Sequence, residues 1–328
     1  MLQAEICIMQ CLIFMFERGK GMKGRNATQR DFINGLLFSS PWILGFLAFS
    51  VYPLISSLYY SLTKFNAVTA PQWVGLENFK DIFSDPLVWK SLGNTLFMAF
   101  VSTPINLFVA LLLASIVCAD FKGRGFVRTA FFLPSVIPMV AATMVWIWMF
   151  DPTYGYINNV LSWFGISGPA WLMDAHYTKW ALVLMGTWNT GTMMLVCMSA
   201  LQSVPKSYYE SAEIDGAGKV SRFFYITVPC IAHVLVYQAI LSTINAFQYF
   251  QQVYIIITAN AGVKGGSAAG GPENSILMYP LYVFHNAFTY LKMGKASAMA
   301  WLLFVVVAVL TVIMTKVTRK ATENAGGE

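Results

Sequence analysis

YYESAEIDGAGKVSRFFYITVP, residues 208–229, holds five of the chain's 36 Lys, Arg, Asp and Glu residues, yet apolar-rich stretches flank it on both sides. A charged, helix-prone insert in so water-averse a chain needs a reason. The insert parses into short pieces. Ser203 and Pro205 read as a helix start, because Pro is tolerated in a first turn whose N–H groups lack partners. The residues to Ile214 suit a short helix, and Asp215-Gly216 reads as a stop, since Gly reaches positive φ at no cost. Lys219 to Tyr225 suit a second short turn, which Pro229 closes. A helix–turn–helix with Tyr208, Tyr209, Phe223 and Phe224 beside its charges fits a groove on another protein. It equally fits an interfacial helix resting on lipid headgroups.

The flanks decide what surrounds it. The 328 residues are 57% hydrophobic and 11% charged, with mean hydropathy +0.60. A soluble domain is nearer ~45–50% apolar and ~25% charged. Six runs, at 36–62, 93–118, 129–150, 180–201, 233–257 and 297–315, match the ~20 residues a helix needs to cross a bilayer. Backbone groups facing lipid must pair within their own segment, and the period-2 alternation of a barrel is absent. The expected fold class is an all-α integral membrane protein with six transmembrane helices. Its expected parts are a segment 1–35, a membrane domain 36–315 containing the 202–232 loop, and a tail 316–328.

Positive charge orients it. Lys and Arg number 14 on the side holding both termini and the 202–232 loop, against 7 on the other. Positive loops stay cytoplasmic, so both termini and the opening stretch are expected there. The net charge of +6 then reflects topology; no basic patch with aromatic interleaving suggests nucleic acid. The run Ile6 to Phe16 is too short to span, and its positive residues follow it, unlike a signal peptide. It reads either as an interfacial helix or as lying before a natural start at Met22, which would leave a short basic lead-in to the first helix. Cys7 and Cys11 have no further Cys or His partners, so no metal site is expected.

No span interior carries Asp, Glu, Lys or Arg, which disfavours a proton- or ion-coupled pump. No phosphate-cradling G-x-x-x-x-G-K-[ST] occurs, no H-E-x-x-H and no G-x-S-x-G. The Gly-rich 260–275 stretch reads as a flexible loop. Catalysis is not expected, and uphill transport would draw its energy from another subunit.

Glu210, Ala212, Gly216, Ile226 and Pro229 resemble the E-A-A-x-x-x-G-x9-I-x-L-P signature of binding-protein-dependent ABC importer permeases, with Ser211 and Val228 as departures. WVGLENFKDIF (73–83), DPLVWKSLGNTL (85–96), DPTYGYINNVL (151–161), INAFQYFQQVYIIIT (244–258) and MGKASAMAWLL (293–303) resemble the carbohydrate branch. SSPWILGFLAFSVYPLISSLYYSL (39–62) is similar to the first permease of maltose-type and glycerol-phosphate-type importers, and also to that of the bacterial alginate importer. The resemblance implies a type I ABC importer permease fold in a bacterial inner membrane. Its implied partners are a second permease of different sequence, two ATPase subunits that hold ATP and Mg, and an extracytoplasmic sugar-binding protein. The insert becomes the coupling helix, with Tyr209, Glu210, Ala212, Asp215, Gly216 and Phe223 docking an ATPase subunit. A membrane scaffold that docks a non-ATPase partner through the same loop, or a facilitator working alone, are the competing functions.

A sugar path would need hydroxyl-bonding groups and aromatic faces. At 100° per residue, Gln238, Ser242, Asn245, Gln248, Tyr249 and Gln252 share one sector of a straight fifth span. Trp188, Thr192 and Ser199 share a face of the fourth, beside Asn189. These groups read either as substrate path or as hydrogen-bonding glue between helices. Trp146 and Trp148 read as belt anchors. Trp73, Trp89, Trp163 and Trp171 lie in outer loops, where a binding protein would land, with an amphipathic helix expected beside Trp89.

Overall fold

The computed structural model describes residues 25–260 and 270–325. The readings placed on Ile6 to Phe16, Met22, Cys7 and Cys11 lie outside the described residues, as does most of the Gly-rich stretch. The chain divides into two compact units, the first ending at Tyr59 and the second starting at Tyr60. In the first, α1 (Arg25–Phe46) runs through a five-residue π turn, Leu47–Val51, into α2 (Tyr52–Ser61). Pro41 sits inside α1 and is carried by the continuing helix, as membrane helices allow.

The second unit opens with a two-residue hairpin, β1 (Thr63–Lys64) against β2 (Gln72–Trp73). Then come α3 (Glu77–Ser84), α4 (Pro86–Phe97) and α5 (Thr103–Cys118). A π turn at Met98–Ser102 joins α4 to α5, so Pro86–Cys118 is one 33-residue helix. It starts seven residues before the apolar run because Asp85 caps it, its Oδ1 accepting the Leu87 N–H at 3.0 Å, with Pro in the first turn.

The next three spans are each broken. α6 (Arg124–Phe132) ends in a 3₁₀ turn, Leu133–Val136, and meets α7 (Met139–Met149) at 100°. Pro138 holds Ile137 extended (ψ 130°), the bias that any residue before proline feels. α8 (Tyr156–Trp163) lies in the following loop. α9 (Ala175–Trp188) and α10 (Gly191–Ser203) meet at 51°. A Cβ on Gly191 would lie 2.8 Å from the Phe131 carbonyl oxygen and 2.9 Å from the Phe132 Cα, so this break rests on α6. After α11 (Lys206–Ile214), α12 (Lys219–Cys230) bends 71° into the fifth span. That span is α13 (Ala232–Phe247) and α14 (Gln251–Asn260). α15 (Tyr279–Phe284) and the long α16 (Met293–Ala325) complete the unit.

Among the described residues, three helices are long and apolar enough to cross a membrane, and up to six candidate spans result if each bent pair counts as one. Two apolar cores lie in the second unit. One gathers Val117, Met194, Cys197, Met198, Val204 and Ile231 near the elbow formed by α11 and α12. The other gathers Ile82, Val88, Phe150, Leu172 and Phe247 with Ile276–Met278. The segment 276–282 is thus buried rather than an outer loop. Asn94 Nδ2 donates to the Asn274 and Leu277 carbonyls, both at 2.9 Å, and the Tyr279 N–H donates to Thr95 Oγ1 at 2.9 Å. Its run ILMYPLYVF (276–284) is apolar but too short to span, which is the signal that marked it. Trp146 is likewise buried, against Phe150 and Trp188, and is no belt anchor; Trp148 is exposed.

Candidate functional site

The elbow begins at Pro205, whose extended backbone (ψ 132°) caps α11. Ser203 instead ends α10, its Oγ donating to the Ala200 carbonyl at 2.7 Å. α11 closes on Gly216 at φ +76°. There Ala217 N–H donates to the Ala212 carbonyl at 2.9 Å and Gly216 N–H to that of Glu213 at 3.1 Å. This paired bonding satisfies carbonyls the helix end would orphan, and it needs a left-handed residue.

Two bonds hold α11 against α12. Tyr209 Oη and Thr227 Oγ1 lie 2.9 Å apart, and Arg222 Nη1 donates to Glu213 Oε2 at 2.9 Å. Tyr209 and Phe223 pack on the core beneath, and Ala212 is half-buried. Tyr209 and Phe223 therefore brace the elbow from beneath. Tyr208, Glu210, Ile214, Asp215, Gly216 and Val220 are exposed. Ile214 is 87% exposed, at the tip of a helix carrying two unpaired acids, Glu210 and Asp215, among the described residues.

The straight stripe expected on the fifth span does not survive, because the helix stops after Phe247. Asn245 and Gln248 are exposed, while Gln238 and Gln252 are buried. Gln252 Nε2 reaches Met139 Sδ, on the residue that opens α7. Ser135 Oγ in turn lies against Gly191. The breaks of spans three, four and five thus meet around residues 133–139. Irregular backbone at membrane depth is tolerated only inside protein or along a wet cavity, and such breaks commonly line transporter sites.

Three buried polar atoms without partners flank these breaks. Asn189 Oδ1, Tyr249 Oη and Gln252 Oε1 are buried and unpaired, as is Asn106 Oδ1 on α5. Leaving a buried polar group unsatisfied costs ~1–3 kcal/mol, so each of these atoms would gain from a hydrogen-bonding partner. Trp188 stands beside Asn189 with its ring edge-on to Trp146, centroids 5.8 Å apart, and Thr192 is exposed one turn on. Asn106 escaped the sequence reading. Its signal was a lone Asn in an apolar run, opposite Gly186, where an added Cβ would lie 2.9 Å from its Nδ2.

Residues 106–323 match the family model for the inner membrane component of binding-protein-dependent transport systems. The probable ABC transporter permease protein YesP of Bacillus subtilis (strain 168) is 38% identical over 90% of this chain and 93% of its own. The lactose transport system permease protein LacF of Rhizobium radiobacter is 32% identical over 88% and 95%. Among solved structures, the crystal structure of the bacterial alginate ABC transporter with its alginate pentasaccharide-bound periplasmic protein superposes at TM-score 0.76 and 20% identity. That likeness covers 92% of this chain and 99% of the other, and it is a likeness of fold.

Proposed function

The chain belongs to the inner membrane components of binding-protein-dependent transport systems, and from that premise we propose that it is one permease of an ABC importer for a sugar or oligosaccharide. It forms half of the path and pairs with a second permease. Both termini and the elbow face the cytoplasm, and the Asp85 end faces outward toward an extracytoplasmic sugar-binding protein. ATP and Mg are held by two separate ATPase subunits, and this chain hydrolyses nothing.

The observation that carries the coupling role is the division of the elbow. Its inward face is packed and hydrogen-bonded, while its outward face presents Tyr208, Glu210, Ile214 and Asp215 unpaired. ATP-driven closure of the ATPase pair would move this elbow as a rigid lever and reverse the opening of the path. Co-purification tests it: an ATPase subunit should come with the wild-type assembly and be lost when residues 208–217 are altered.

The unpaired Asn189, Tyr249, Gln252 and Asn106 atoms, with the Trp188 face, support a saccharide passing the three breaks. Sugar hydroxyls both donate and accept, so they suit amide and phenol groups without any charge. The expected result separates path from glue. Tyr249→Phe removes a hydroxyl that bonds nothing, so thermal stability should hold or rise by ~1 kcal/mol, while the rate of uptake falls ~10-fold by loss of ~1.4 kcal/mol of contact. Stability loss with normal uptake would make Tyr249 a packing residue.

A further inference from the structure

Two short helices, α3 and α8, project from the outward end, and their surroundings differ. α3 carries Glu77, Lys80 and Asp81, whereas no Asp, Glu, Lys or Arg occurs anywhere from residue 152 to 173. Within that uncharged stretch, Trp163 and Phe164 are each 76% exposed, with Tyr156 and Ile166 also open. They form one apolar edge, because Tyr156 and Trp163 lie seven positions apart on α8 and Phe164 and Ile166 follow its end.

The loop holding this edge is a fixed mount. Asp151 Oδ1 accepts the N–H groups of Thr153 and Tyr154, both at 2.8 Å. Asn158 ties the loop across its width: its Nδ2 donates to the Pro152 and Pro169 carbonyls, each at 3.2 Å, and its Oδ1 accepts from Trp171 Nε1 at 2.7 Å. Gly168 lies so close that a Cβ there would fall 2.1 Å from Asn158 Oδ1. Trp171 stacks obliquely on Phe150 at 5.5 Å between centroids, which fastens the whole loop to the end of α7. The exposed aromatic side chains are therefore held outward by structure.

We infer that this edge, Tyr156–Trp163–Phe164–Ile166, is a lipid anchor seated at the boundary between headgroups and acyl chains. Two observations choose lipid over a protein partner. The edge follows an apolar stripe on α7, where Met144, Val145 and Trp148 are exposed on the second half of the broken third span. Trp148 stands only three residues before the loop begins. Second, the interface region favours Trp and Tyr, which are apolar in body and polar at one tip, and an uncharged loop can enter it without desolvating an ion. The charged α3 stays in water, with Trp73 and Trp89 beside it as the better landing ground for a binding protein; Trp163 is removed from that set.

The anchor would hold the outer ends of spans three and four at fixed depth while their broken inner parts move. Its assignment to the outer leaflet rests on the orientation proposed above, but its depth does not.

The test is a nitroxide label on the assembled transporter in phosphatidylethanolamine–phosphatidylglycerol liposomes, with the native cysteines replaced by alanine. Labels go on Phe164→Cys and Ile166→Cys, which keep Trp163, with Ser162→Cys and Lys80→Cys as references. Collision with oxygen relative to a water-soluble nickel chelate should be several-fold higher at 164 and 166 than at 162 and 80. Equal ratios at all four sites would overturn the anchor. So would labels at 164 and 166 that are nickel-accessible alone and become shielded only when the extracytoplasmic binding protein is added. Both readings are independent of which sugar is carried, so failure here leaves the transport reading standing.

Discussion

Glu210→Lys is expected to leave the permease folded and inserted but to cut ATP-driven uptake by ~30-fold or more. The size follows from interfaces generally: truncating one partner of a desolvated charge pair costs ~2–5 kcal/mol, and reversing its sign adds repulsion. The absence of a fold defect follows from this molecule. Glu210 is exposed, and no described residue pairs with it, so its replacement should move stability by less than ~0.5 kcal/mol. Gly216→Pro should give the same loss of uptake by another route. Proline is confined near φ −65°, while Gly216 sits at +76°, so the turn that aims α11 cannot form. Gly216→Asn, which visits left-handed φ more readily, should retain most activity. Normal uptake with normal sugar-stimulated ATP hydrolysis in Glu210→Lys would remove the lever from the account.

The second large effect lies at the opposite end. Asp85, the cap of α4, accepts from Lys295 Nζ and from Tyr282 Oη through one oxygen, each at 2.6 Å. Its side chain is 16% exposed and that of Lys295 14%. One carboxylate thus joins the starts of α4 and α16 to α15. Breaking such a buried pair by removing one partner costs ~3–5 kcal/mol, because it strands the other charge. Lys295→Met should therefore be strongly destabilising, and the double variant Asp85→Asn, Lys295→Met should recover much of the loss.

The pH dependence has a definite sign. Burial alone would raise the pKa of Asp85, but the hydrogen bonds from Lys295, Tyr282 and the Leu87 N–H outweigh it and hold the group below its ordinary value. A carboxyl depressed in the folded state contributes stability that is complete above the unfolded pKa, ~3.9, and is lost as pH falls through the folded value. The melting-temperature gap between wild type and Asp85→Asn should be constant from pH 7 to about pH 5 and shrink in stronger acid. A gap that widens below pH 4 would refute the latch.

Much of this was readable in advance, for local reasons. The six apolar runs, the stop at Gly216 and the short helix beside Trp89 all follow from neighbours a few residues apart. What failed were inferences that assumed straight helices. The sector joining Gln238 to Gln252 presumes an unbroken 3.6-residue period, and the break after Phe247 turns Gln252 inward while Gln248 stays open. Pro134 and Pro138 signalled the bend in the third span. The bend at Asn189 has no proline and depends on Gly191 fitting against Phe131 and Phe132.

The sequence by itself determined that this chain crosses a membrane in helices and carries one charged elbow, since lipid forces every backbone group to pair within its own segment and leaves charge only at the ends. Tertiary structure alone decided that Tyr209 and Phe223 face inward, that 276–282 is core, and that Asp85 meets Lys295 across 210 positions. Those outcomes depend on which surfaces the packed helices bring together, and no local pattern of residues encodes that.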